Sequence, residues 1–417
     1  MRVGTFVLAG RFPGQTDREA LDRAVRTVVA AEEAGLSDAW LAEHHFVPYG
    51  TCPSAATLAA HLLGRTRRIG LGTAISVLST VHPVALGEQA ALLHLVSGGR
   101  FTLGVGRGGP WVDLEVFGTG LPAFERGFPE SLDVLLRWLG GGEVGSDGEL
   151  HRFRPVTVVP DPTEPTGADR STTGPPVIVA CTSPGTVRLA AERGLPMLLG
   201  MHAGDEEKAA MVRLWRETAR AAGHDAETVA CDRHVSVGVV QIGDSHTGAV
   251  ETLRRALPGM LRQGLAAHRT VDGRKRTMRD PLAYTELLCE LHPVGTPRLC
   301  ADRIAATAEA TGITRFALLA EGSGDPELTE ETLWRLGTEV LPLLPDAASG
   351  AGTRAAAVPA VTVPPSPGFP EAEAGKPVGR VGVTERPERT GRTGLIDEGV
   401  AGGLGGRVSS PAVPVTG

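Results

Sequence analysis

The chain has 417 residues, 41% hydrophobic and 21% charged, with a formal net charge of −7. These are globular values, and they leave no basic footprint for nucleic acid or an anionic membrane. Five scattered cysteines without a C-x-x-C pair argue against a disulfide framework or a zinc site, and with neither a bilayer-length apolar run nor a secretory signal we expect a soluble, cytoplasmic protein.

Val3–Leu8 opens the chain as a short apolar strand. Arg18 to Ala34 then places Leu21, Val25, Val28, Val29 and Ala31 at helical spacing, with Gly35 as the stop. Ala39–Ala42 reads as a second, interior strand that runs straight into Glu43-His44-His45-Phe46. Further strands are predicted at Ile69–Thr73, Phe101–Val105, Val177–Ala180, Met197–Leu199, Val235–Val240 and Phe316–Leu319. Helices are predicted over Pro83–Val96, Ser183–Arg193, Glu206–Ala222 and Pro297–Thr311, the last three stopped by Gly194, Gly223 and Gly312. Eight strands alternating with helices predict a (β/α)8 TIM barrel with insertions. A doubly wound open sheet has the same local signature, but no G-x-G-x-x-G opens a helix after the first strand.

Two insertions are expected. One covers Trp111 to Pro176 and includes a Pro-, Thr- and Gly-rich loop from Pro160. The other covers Pro258 to about Tyr284, holds Arg274-Lys275-Arg276 and Arg279 beside Asp272 and Asp280, and suits a lid over a barrel mouth. From Asp346 to Gly417 the character changes. Nine prolines and 14 glycines in 72 residues, with Phe369 the single aromatic, predict a disordered tail. The domain division is therefore 1–345 and 346–417.

The residues with chemistry cluster at predicted strand ends, where barrels bind ligands. His44 and His45 are costly as core residues, because each needs hydrogen-bond partners. Gly106-Arg107-Gly108 follows the fourth strand, pairing close backbone approach with a planar cation suited to phosphate. Thr182-Ser183-Pro184-Gly185-Thr186 follows the fifth and opens a helix. It reads either as an anion site or as plain N-capping. Small residues at Gly72-Thr73-Ala74-Ile75 leave room for a flat ring. Together these loops favour a large phosphorylated cofactor. His82, before Pro83, reads as a helix cap. The remaining histidines lack metal-ligand spacing, so no metal is predicted, and no G-x-S-x-G elbow supports a hydrolase.

These motifs resemble the bacterial luciferase-like flavin-dependent monooxygenases, most of all the luciferase α subunit. Trp40-Leu41 with Glu43-His44-His45-Phe46, Gly72-Thr73-Ala74, His82-Pro83-Val84, Gly99-Arg100-Phe101 and Arg107-Gly108 carry the likeness. So do Val116-Phe117-Gly118, Gly194-Leu195-Pro196-Met197, Pro293-Val294-Gly295-Thr296-Pro297 and Ala310-Thr311-Gly312-Ile313. Glu-His-His is the α-type signature, since the β subunit has Asn for the first His.

The resemblance implies a TIM barrel that binds reduced FMN, O2 and an organic substrate and oxygenates that substrate through a flavin C4a-peroxide. By matching position, His44 is expected as the acid/base, with His45 in support. An ordinary histidine pKa suits that work. Arg107 is expected on the FMN phosphate with Thr182, Ser183 and Thr186. Ala74 and Ile75 are expected at a non-proline cis peptide under the flavin ring, beside Gly106. The chain departs from the family at Gly106, where luciferase α subunits carry Cys, at Cys181-Thr182 in place of Glu-Ser, at Pro184, and in the lid. These departures bear on the substrate and on light emission more than on flavin binding. The first reading is thus an FMNH2-dependent monooxygenase for a small or medium apolar molecule (an aldehyde, ketone or secondary metabolite), supplied by a separate flavin reductase. An F420-dependent oxidoreductase of the same fold is the alternative, and a non-catalytic flavin-binding partner subunit is the second. A homodimer, or a heterodimer with a similar chain, is expected from the family.

Overall fold

The structure is a computed structural model and describes residues 1–166, 172–224, 233–274 and 279–345. The tail 346–417, Cys231, and Lys275 and Arg276 of the basic loop lie outside the described residues. Among those described, eight strands form the centre of the fold. They are β1 (Arg2–Val7), β2 (Asp38–Leu41), β3 (Gly70–Thr73), β4 (Phe101–Gly106), β5 (Val177–Cys181), β6 (Met197–Leu199), β7 (Val235–Val239) and β8 (Arg315–Leu319). Each lies within one residue of its predicted bounds at either end.

Every pairing around this ring is parallel, from β1 with β2 through to β7 with β8 and β8 with β1. Pairing of β4 with β5, Leu103 opposite Val177 and Val105 opposite Val179, closes the barrel and rules out the open sheet. Parallel neighbours need crossovers, and the helices supply them. Asp17–Glu33, Pro83–Val96, Pro184–Glu192, Asp205–Ala221 and Pro297–Thr311 match the predicted helices closely.

Strand alternation divides the core. Val3 and Val7, Ala39 and Leu41, Leu103 and Val105, and Val177 and Val179 face outward and bury against helix residues such as Ala24, Val28 and Leu62. Phe6, Trp40, Ile178, Leu198, Val237 and Ala317 fill the interior. At its lower end Trp40 donates from Nε1 to Asp38 (2.7 Å), Arg315 bonds the same carboxylate (2.9 Å), and the guanidinium lies 4.9 Å from the Trp40 ring centre. A Cβ on Gly72 would stand 2.5 Å from that ring, so the glycine makes room for the indole. This paired, hydrogen-bonded plug closes the bottom of the barrel. Access is left to the mouth at the strand C-termini.

The insertions differ from the expectation. Trp111 to Pro176 contains one of the barrel's own helices, Phe128–Leu139, followed by an antiparallel hairpin of Glu143–Asp147 with Arg152–Thr157. Phe128, Leu132, Leu135 and Leu139 form its buried face, a spacing obscured by Gly- and Pro-rich flanks. Pro258 does not begin a loop: it is buried inside the helix His246–Ala266. A second helix, Pro281–Leu291, closes that insertion, with Asp280 as its N-cap accepting from Ala283 N (2.8 Å). Of the described residues in that segment, 267–274 and 279–280 lie outside the helices. Ala55–Arg65, whose buried face is mostly alanine, was likewise invisible to apolar periodicity. No helix among the described residues is long and apolar enough to cross a membrane.

Candidate active site

The mouth is organised by the residue that precedes the histidine pair. Glu43 leaves the end of β2 and accepts two backbone N–H bonds, from Ala55 at the start of the helix Ala55–Arg65 and from Val77, each 3.0 Å. One carboxylate thereby ties together a strand end, a helix start and the loop after β3. Its Oε1 also stands 3.7 Å from His45 Nε2.

His44 is anchored by its backbone N–H to Cys52 O (3.0 Å). Its ring meets Tyr49 edge-on, 5.0 Å between centres at 82°. Nδ1 is walled in without a hydrogen-bond partner among the described residues, and a Cβ on Gly50 would stand 2.6 Å from it. Desolvation, with smaller contributions from His268 and His45, lowers the His44 pKa to about 3. The ring is thus neutral at physiological pH, which departs from the expected ordinary histidine. The crowding comes from the turn that follows, Tyr49 to Cys52, and His268 is the contribution that arrives from far along the chain.

Beyond β3 the peptide between Ala74 and Ile75 is cis, as expected. Ala74 N donates to Leu41 O (2.6 Å), and Ser76–Val77 pairs with the end of β4. Ile75 lies over Gly106, where a Cβ would come within 2.7 Å of its Cδ1. A Cys at 106 would therefore displace Ile75. Arg107, next along, receives Ser79 Oγ–H at its carbonyl (2.7 Å), while its guanidinium sits 4.4 Å from the Phe124 ring centre. Burial lowers its pKa, and among the described residues it has no carboxylate partner.

On β5 both readings of the hydroxyl loop are partly met. Ser183 and Thr186 form a reciprocal capping box at Pro184–Glu192. Thr186 Oγ1 also accepts weakly from the Thr182 and Ser183 N–H groups (3.3 Å each). Pro184 contributes no N–H. Capping therefore occupies much of what an anion would use, and the Thr182 side chain stays exposed.

The two insertions meet at this rim. Trp111 and Thr270 form an antiparallel bridge, flanked by Val112 N to Arg269 O and Val271 N to Pro110 O, each 2.9 Å. This brings in groups that motif reading passed over. The His268 ring lies 4.8 Å from Trp111 and 6.1 Å from Tyr49, its Nδ1 donating to Gly264 O (3.1 Å). Burial lowers its pKa and raises that of Asp113 nearby. Burial also raises the pKa of Tyr49 and Tyr284, the only two tyrosines in the chain. That rarity was the one signal available in the sequence. His82 caps Pro83–Val96, Nδ1 accepting from Val84 N (3.3 Å), as read.

The mouth therefore offers a neutral imidazole, a desolvated guanidinium and a floor of Ala74 and Gly106, and known proteins share the arrangement's framework. The family model described as luciferase-like monooxygenase matches residues 1–315. The alkanal monooxygenase alpha chain of the Kryptophanaron alfredi symbiont is 30% identical over 361 residues, spanning 82% of this chain and 98% of that one. Among solved structures, the oxygenating constituent of 3,6-diketocamphane monooxygenase from Pseudomonas putida, in complex with FMN, superimposes with a TM-score of 0.63 at 21% identity, over 82% of this chain and 98% of that one. An F420-dependent secondary alcohol dehydrogenase, in complex with an F420-acetone adduct, gives 0.62 at 18% identity, over 83% and 99%. At these identities the two structures speak to the fold.

Proposed function

Because the chain belongs to the luciferase-like monooxygenase family, we propose that it takes reduced FMN from a separate reductase and oxygenates a small or medium apolar molecule with O2. An aldehyde, a ketone or a secondary metabolite would suit that mouth. The observation that carries this reading is the His44-His45 pair at the end of β2, the His44 ring neutral with its Nδ1 walled off and the cis peptide Ala74–Ile75 after the neighbouring strand.

The residues fit a flat, phosphorylated ring system. Ala74, Ile75 and Gly106 offer a surface without polar side chains, and the desolvated Arg107 guanidinium suits a phosphate dianion. Thr182 offers an exposed hydroxyl after the neighbouring strand β5, while Ser183 and Thr186 hold the helix start in place. Reduced flavin bound there supplies the two electrons that activate O2. His44 accepts or returns the proton that the chemistry displaces, with His45, 3.7 Å from Glu43, in support. We assign this activity to residues 1–345, leave 346–417 as a separate tail, and expect a homodimer or a pairing with a similar chain.

The test is stopped-flow absorbance of the full chain, loaded anaerobically with reduced FMN and mixed with oxygenated buffer. Reoxidation in two phases, with product formed from added aldehyde or ketone, is the expected result. His44→Ala should keep its flavin affinity and lose product. Reoxidation in one phase at the rate of free flavin would refute the oxygenase reading. Tight F420 binding in its place would support the deazaflavin-dependent alternative, and activity only after adding a similar chain would support the partner-subunit one.

A further inference from the structure

On the outside of the barrel, the helices Asp17–Glu33 and Pro326–Arg335 pack side by side and leave a groove of about 470 Å³. Arg26 bonds Glu330 (2.6 Å) towards one end, and Gly337 packs on the Ala34 carbonyl at the other, so the two helices run in the same direction. Val25, Val29, Ala30 and Ala34 form an apolar wall, and Trp334 stands beside it. Of the five tryptophans in the chain Trp334 alone is exposed, at 58%. Scattered apolar side chains on a surface are ordinary, but an indole open to water along an apolar groove is an anchor for something that covers it. Arg65, at the groove's edge, has no carboxylate partner among the described residues.

A matching sequence lies in the same chain. Beyond Pro345, positions 358–370 read Val-Pro-Ala-Val-Thr-Val-Pro-Pro-Ser-Pro-Gly-Phe-Pro, a run without a charge that ends at Glu371. Pro364 and Pro367 have the P-x-x-P spacing whose polyproline II form docks on aromatic-lined grooves. The lengths agree. The wall from Val25 to Ala34 is about 14 Å long at a helical rise of about 1.5 Å per residue. A polyproline II stretch of about five residues covers it at about 3.1 Å each.

We propose that residues 364–370 of this chain lie in the groove as a polyproline II strand, their rings on Trp334 and Glu371 towards Arg65. Proline has its φ already fixed, so it loses little freedom on docking. Positions 346–363 form the tether, and a short tether holds its end at an effective concentration of about 1 mM. A contact too weak to capture a free partner is thereby filled from within the chain. The contact involves neither flavin nor substrate.

The experiment is 19F NMR of the full chain with 4-fluorophenylalanine in place of Phe369. Its resonance should be displaced from its position in the urea-unfolded chain by the Trp334 ring, and the displacement should survive dilution. Trp334→Ala should abolish it, and so should Pro364→Ser combined with Pro367→Ser, which leaves the barrel untouched. Trp334→Phe should keep part of it. A resonance at the unfolded position in the native parent, or a displacement indifferent to Trp334→Ala, overturns the proposal. Displacement lost on dilution overturns it too, giving the groove to the tail of a second copy. So does loss of self-association in Trp334→Ala, by sedimentation, with the resonance unchanged, which would give the groove to a second barrel.

Discussion

Replacing Glu43 by alanine tests whether the carboxylate, rather than the histidines, holds the mouth together. The change deletes two acceptors at once, each 3.0 Å from a backbone donor, one on Ala55 and one on Val77. A hydrogen bond to a charged group is worth about 1.5–3 kcal/mol, and water can replace part of that because the side chain keeps 10% of its exposure. Ala55 opens a helix, so loss of negative charge there adds a few tenths of a kcal/mol or more. We expect a destabilisation of about 2–4 kcal/mol in urea titration of the full chain, with Glu43→Gln intermediate. Val77 follows the Ala74–Ile75 peptide, so FMN affinity should fall in Glu43→Ala as well. A variant within about 0.5 kcal/mol of the parent, the usual range for an uninvolved surface change, would refute the strut assignment.

Further outcomes follow from the same geometry. Arg107→Ala should weaken FMN by about 10- to 100-fold, the value of one charge-assisted contact, while sparing riboflavin. Equal losses for both flavins would remove Arg107 from the phosphate. Lys208 is 1% exposed and donates to Ser236 Oγ (2.9 Å) and Val237 O (3.1 Å), and burial lowers its pKa from 10.5 to about 8. Below pH 8 both the folded and unfolded states carry the proton, and the folded state bears the whole penalty. Between pH 8 and 10.5 the unfolded chain holds the proton that the folded one has released, so stability should rise by about 3 kcal/mol across that window. Urea titrations of Lys208→Met should lack this rise, and an identical slope in both proteins would count against it. Phe46 has φ of 60°, so Phe46→Gly should be more stable than Phe46→Ala by about 1 kcal/mol, since both lose the ring but only alanine keeps the left-handed strain. Equal melting temperatures would show that the backbone is relaxed there.

The amino-acid sequence by itself determined the eight strands and their order. Short β-branched and apolar runs such as Val177–Cys181 and Val235–Val239 stand out between glycine and proline stops, because a buried parallel strand needs apolar side chains on both faces. It also determined the Glu43-His44-His45 motif and the cis peptide at Ala74–Ile75, through their likeness to a family. Closure of the ring was decided elsewhere, by the pairing of Leu103 with Val177 across an insertion that hides a barrel helix. Helices with weak contrast, such as the alanine-faced Ala55–Arg65, escaped periodicity because alanine packs well while reading as neutral. Only the tertiary structure could make His44 neutral, engage Ser183 and Thr186 in capping, or bring His268, Trp111 and Phe117 to the same rim. A pKa is set by desolvation and neighbouring charges, and at His44 these include His268, distant in the chain and adjacent only in the folded barrel.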